Sequence, residues 1–70
     1  MTPTPRQQAV LDFLIAYRQQ HGISPSIREL QHAFNLASPS AIQHHLRQLQ
    51  ALGLVDWQPG RSRSLVPLQP

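Results

Sequence analysis

The stretch from Ser26 to Gly53, SIRELQHAFNLASPSAIQHHLRQLQALG, decides the fold of this chain. Ser26 is a good helix N-cap, and Glu29, three positions on, completes a capping box. Ile27, Leu30 and Phe34 recur at helical spacing, which predicts a short helix over 27–34 with one buried stripe. Asn35 stands where the chain must turn sharply, and asparagine tolerates left-handed backbone better than most residues with a side chain. Leu36 is expected to plug that turn into the core. Ser38 and Pro39 open a second helix over 39–52, with serine as the N-cap and proline at the first helical position, where its missing N–H costs nothing. Ile42, Leu46, Leu49 and Leu52 point inward, and Gly53 ends the helix. A short helix, a tight turn and a longer helix make a helix-turn-helix.

Outward from this unit, the rest reads as scaffold. Thr4 is an N-cap with Pro5 at the first helical position, so a first helix is expected over 4–21. Val10, Phe13, Leu14 and Tyr17 give its apolar stripe, with Leu11 and Ile15 widening it. Arg6, Asp12 and Arg18 lie among glutamines on the polar side, and Gly22 suits the left-handed position after the helix. Ile23-Ser24-Pro25 is an extended connector, since Pro25 keeps Ser24 out of helical geometry. After Gly53, Leu54-Val55-Asp56-Trp57 alternates as an edge strand does. Gln58-Pro59-Gly60-Arg61-Ser62 is a turn, Arg63-Ser64-Leu65-Val66 a returning strand, and Pro67 is expected to end it. The expected architecture is therefore one domain, residues 1–70, mainly α with a small β-hairpin: a three-helix winged helix-turn-helix with its wing over 54–66.

Composition bounds the chemistry. Seventy residues suit one small domain. No cysteine is present, which removes disulfides, thiolate metal sites and cysteine nucleophiles together. No apolar run approaches the roughly 20 residues of a membrane span, and no signal-peptide layout opens the sequence, so a soluble, intracellular protein is expected, cytoplasmic and nucleoid-associated if its partner is DNA. The six basic residues are all arginines; against three acids they give a formal charge of +3. That modest excess suits a nucleic-acid partner. Arginine in place of lysine favours planar contacts to phosphate or guanine, although genomic GC bias produces the same composition.

At roughly 100° per residue, Ser40, His44, Arg47 and Ala51 cluster opposite Ile42, Leu46 and Leu49. Gln43 lies on one flank, Ala41 and Gln48 on the other. The first turns of the second helix of a helix-turn-helix meet base edges in the DNA major groove. Ser40 and Ala41 are small and allow close approach, Ala41 can touch a thymine methyl, Gln43 can pair with adenine, and His44 can donate to guanine or phosphate. Arg47 can reach guanine or phosphate. Ser38 can cap the helix and still touch a phosphate, because free N–H groups at a helix start favour anions. Arg61 and Arg63 on the wing read as a phosphate clamp or minor-groove probe, or as two solvated charges. Arg28, a cation in the first turn of a helix, opposes the helix dipole and suggests a partner, either near Glu29 or on a phosphate. Trp57 reads as a lid on the core. His44 and His45 point about 100° apart and cannot easily share an ion, so no metal and no cofactor are expected. His45 is expected to be packed and hydrogen-bonded. No nucleophile–base pair, carboxylate dyad or phosphate loop is visible, which argues against an enzyme.

The segments TPRQQAVLDF (4–13), SPSIREL (24–30), ASPSAIQHHL (37–46) and PGRSRSL (59–65) resemble the N-terminal DNA-binding domain of the LexA family of bacterial SOS repressors, in the same order and spacing over about residues 3–66. The resemblance implies a winged helix-turn-helix with base contacts from Ser38, Ser40, Ala41, Gln43 and His44 and backbone contacts from the wing. Beside it, the residues themselves predict phosphate contacts from Arg28, Arg47, Arg61 and Arg63, with a palindromic operator in double-stranded DNA and a homodimer on it. Two departures stand out. The family often has glycine at the turn after the second helix, where this chain has Asn35. The family also continues into a peptidase domain with a Ser–Lys dyad, whereas these residues include no lysine, so self-cleavage is not expected. The competing expectation is a stand-alone winged-helix module that binds a protein partner, such as a larger regulator.

Overall fold

The computed structural model describes residues 2–68. Helix α1 spans Pro5–His21, α2 Ile27–Ala33 and α3 Pro39–Ala51, followed by strands β1 (Val55–Asp56) and β2 (Val66–Pro67) in one antiparallel ribbon. The architecture is mainly α with a small hairpin, a winged helix-turn-helix.

Each helix starts and stops where local chemistry dictates. At α1 the Thr4 hydroxyl accepts from the Gln7 N–H at 3.2 Å while Gln7 Oε1 accepts from the Thr4 N–H at 3.0 Å, a reciprocal capping box. Ser26 and Glu29 repeat the device at α2, at 3.1 and 2.8 Å. Gly22 takes φ +75° after α1, a conformation that costs a residue with a Cβ roughly 1–2 kcal/mol. The turn between α2 and α3 uses Asn35 at φ +57° and is stitched both ways: Leu36 N–H donates to the Gln31 carbonyl, and Gln31 Nε2 donates to the Leu36 carbonyl. Helix α3 ends in a full Schellman arrangement, with Leu54 N–H donating to Leu49 O and Gly53 N–H to Gln50 O, both at 3.0 Å.

Helix α3 is the central element and packs against α1, α2 and β1. Its Ile42, Leu46 and Leu49 are fully buried with Val10, Leu14 and Leu30, while Val55, Trp57 and Leu65 close the core from the wing side. Trp57 is thus a lid, and Gln50 Nε2 holds its carbonyl at 3.1 Å. Ile27, Phe34 and Leu36 are half-buried against this core, and Leu52 is half-buried at the end of α3.

The ribbon differs from the sequence expectation. Ser64 does not join the returning strand: its hydroxyl donates to Gln58 O at 2.9 Å and accepts from Gln58 N–H at 3.1 Å, which closes a loop and delays the ladder to Val66. Nor does Pro67 end the strand. It faces Val55 between the Asp56–Val66 pair and the Leu68 N–H to Leu54 O bond of 2.9 Å. That is a non-hydrogen-bonded position of an antiparallel ladder, where a missing donor costs the pairing nothing.

No helix among the described residues is long and apolar enough to cross a membrane. Because Leu46 is fully enclosed at the junction of three elements, Leu46→Ala should destabilise the domain by about 3 kcal/mol. Urea denaturation followed by far-UV circular dichroism measures this, and a loss below about 1 kcal/mol would contradict the central role of α3.

Candidate nucleic-acid interface

The buried seam of α3 fixes the rotation of the helix and so decides what it presents outside. Ser40, His44 and Arg47 are exposed, while Ala41 and Gln43 are half-buried on the flanks. No acidic residue lies in α3. The exposed face borders two clefts. One, of about 330 Å³, runs between Gln43, the start of α2 at Ser26 and Arg28, and the wing at Gly60, Arg61 and Ser64. The other, of about 530 Å³, lies between His44, Arg47 and Gln48 of α3 and Thr4 and Gln7 at the start of α1.

Ser38 sits at the N-cap of α3, but its hydroxyl makes no capping bond. Ala41 N–H donates instead to the Ser38 carbonyl at 3.3 Å, and the Ser38 hydroxyl pairs with the Ser40 hydroxyl at 3.0 Å. The expected side-chain cap is therefore absent. Proline at the first position supplies no N–H and the Ala41 N–H is engaged by Ser38, so the Ser40 N–H is the first-turn donor left without an acceptor inside the helix.

The arginines divide. Arg28 and Arg47 are exposed, and on the wing Arg61 Nη1 donates to Gln58 Oε1 and Arg61 N–H to the Gln58 carbonyl, both at 3.1 Å. Arg63 turns back into the molecule: at φ +54° its Nη1 donates to Glu29 Oε1 and to the Ser24 carbonyl, both at 2.9 Å. Those two bonds offset the left-handed backbone of a non-glycine residue. The wing is thereby latched to the start of α2, a role that sequence reasoning missed for Arg63 because the partners lie far away in the chain.

Glu29 is the junction of this latch. Its carboxylate accepts from Ser26 N–H, from the Tyr17 hydroxyl at 2.9 Å and from Arg63. The Ser26 backbone bond chiefly, then the Tyr17 hydroxyl and Arg63, lower its pKa from the ordinary 4.5 to about 2. Beside it, Arg18 Nη1 donates to the buried Ser24 hydroxyl at 2.5 Å.

Two further departures concern amides and imidazoles. Gln7, grouped by sequence with the polar face of α1, is buried, and its Nε2 donates to Gln48 Oε1 on α3 at 2.7 Å. The Thr-x-x-Gln spacing of the capping box was the available signal. His45 is packed as expected, but its buried Nδ1 has no hydrogen-bond partner, which corrects the expectation of a hydrogen-bonded ring. Desolvation first, then the neighbouring His44 and Arg6, lower its pKa and favour the neutral ring. Among the described residues no group of His, Asp and Glu is placed to hold a metal.

Against known proteins, the model of the LexA DNA binding domain family matches residues 1–64. The chain is 41% identical over 63 residues to the LexA repressor of Verrucomicrobium spinosum, covering 90% of this chain and 31% of that protein. It is 41% identical over 66 residues to the transcription regulator LexA of Synechocystis, covering 93% of this chain and 32% of the relative. The chain thus spans about a third of the length of the curated relatives it matches.

The depressed Glu29 pKa carries a stability signature. A carboxyl whose folded pKa is lowered adds stability above its ordinary value, and that stability is lost as pH falls from about 4.5 through about 2. Glu29→Gln can keep the capping bond while removing the charge, so its denaturation midpoint should fall less over that window than the wild type's. Parallel urea titrations test this, and equal acid slopes would count against the latch.

Proposed function

Since the chain belongs to the LexA DNA-binding domain family, we propose that it binds double-stranded DNA sequence-specifically as the DNA-reading part of a LexA-like bacterial transcriptional repressor. The observation that carries this is the open outer face of α3, free of acids, with an uncapped helix start and exposed arginines on both sides. In this reading α3 lies in the major groove. Ser38, Ser40, Ala41, Gln43 and His44 approach base edges, with the hydroxyl pair of Ser38 and Ser40 exchanging its mutual bond for base or phosphate acceptors.

Arg28 and Arg61, on opposite walls of the wing-side cleft, and Arg47, beside the other cleft, hold phosphates and set the register of the helix. Arg63 faces phosphate as part of the wing only while it also holds Glu29, so its contribution is chiefly to fix the wing. Two copies on an inverted pair of half-sites gain affinity by acting together, which suits a palindromic operator bound by a homodimer. Such a DNA-reading domain works in the cytoplasm at the nucleoid, and its part in the repressor is binding.

Selection of bound sites from random duplex DNA, followed by affinity measurements over a salt series, tests the proposal. Affinity should fall steeply with salt, with a log–log slope of about −0.9 per phosphate neutralised. Arg61→Ala should weaken selected and random DNA alike, whereas His44→Ala should weaken selected sites by about tenfold and change the preferred base at one position. Equal loss on both DNAs for His44→Ala would remove it from base reading, and failure to enrich any motif would end the proposal.

A further inference from the structure

The first turn of α1 and the outer face of α3 are joined by a line of side-chain hydrogen bonds whose direction is set at one end. Thr4 N–H donates to Gln7 Oε1 at 3.0 Å. A backbone N–H can only donate, so the oxygen of Gln7 must face Thr4 and its Nε2 must face α3. Gln7 Nε2 lies 2.7 Å from Gln48 Oε1 and donates to it. That leaves Gln48 Nε2, again only a donor, facing His44 Nε2 at 3.4 Å. Turning either amide round would set two donors against each other somewhere along the line.

We propose that this relay fixes the tautomer of His44: Nε2 accepts from Gln48, and the ring proton resides on Nδ1. The unconstrained neutral ring favours the opposite form, with the proton on Nε2. The hydrogen bond at one ring nitrogen thus decides what the other offers to a ligand. Gln7 and Gln48 are positioning residues that act through His44.

The consequence for recognition rests on the reading of α3 as the base-reading helix. An exposed Nδ1–H is a donor with no acceptor capacity. It suits guanine O6 or N7, adenine N7, thymine O4 or a phosphate oxygen. It is mismatched to cytosine, whose major-groove edge offers the N4 amino donor. The chain is thus built to reject cytosine at the base His44 meets.

The test uses nitrogen-15 NMR of the His44 ring in the free protein, in alkaline solution where imidazole rings are neutral. Two-bond and three-bond couplings to the ring carbon protons identify which nitrogen carries hydrogen. Wild type should show the proton on Nδ1. Gln7→Glu supplies an acceptor-only carboxylate that still completes the capping box. It should turn Gln48 round, present Oε1 to His44 and move the proton to Nε2. Gln48→Glu, at an exposed site, should do the same directly.

A proton on Nε2 in wild type, or one that stays on Nδ1 in both variants, overturns the relay. In site selection, wild type should deplete cytosine about tenfold at one position, and Gln7→Glu should lift that depletion. A tautomer that switches with no change in base preference overturns base reading by His44 while the relay stands. An unswitched tautomer with a well-defined motif overturns the relay while the DNA reading stands.

Discussion

Everything on the outside of α3 depends on what its inside is pressed against. Ile42, Leu46 and Leu49 are wholly buried where α1, α2 and β1 converge, so the helix has one permitted rotation about its axis. Rotating it by one residue, roughly 100°, would bring Gln43 or His45 into the core and push a leucine into water. His45 already marks the boundary, with a half-buried ring and an unpartnered Nδ1 that argues for neutrality rather than charge. The hydrophobic seam, worth about 2–3 kcal/mol for each enclosed leucine or isoleucine, thus sets the aim of Ser40, His44 and Arg47 without touching them.

A second, polar constraint acts on the wing. A two-strand ribbon of two paired residues per strand has little stability of its own. It is held from below by Val55, Trp57 and Leu65 in the core and from the side by Arg63 on Glu29 and Ser24. One carboxylate thus joins three elements: it caps α2, receives the Tyr17 hydroxyl from α1 and anchors the wing. Tyr17 reaches it from an aromatic cluster with Phe13 and Phe34, the latter pair edge to face at 5.6 Å. The wing-side cleft is shaped by this convergence.

Sequence made the architecture legible because its signals are local. The capping box at Ser26, Asn35 in the turn, Gly53 after α3 and the leucine–isoleucine stripe each act within a few residues. The outward face of α3 was legible for the same reason, being the complement of that stripe. What sequence did not yield is non-local or depends on competition between groups. Arg63 reads as a free cation until the fold brings Glu29 within 2.9 Å. Gln7 reads as one of several surface glutamines until α3 lies across it. Ser38 is an ordinary cap until its hydroxyl finds Ser40 instead. Pro67 stops strands in general, but not at a position where the ladder needs no donor.

The amino end of α1 has a significance that its distance in sequence from α3 conceals. Helix ends are where a folded chain first loosens. Here the opening turn, through the box of Thr4 and Gln7, is joined directly to Gln48 on α3. Fraying of that turn therefore releases an amide beside His44 as well as a few backbone bonds. Whatever stiffens or unsettles the residues before Pro5, including an appended tag, acts on the same structural unit that meets the ligand.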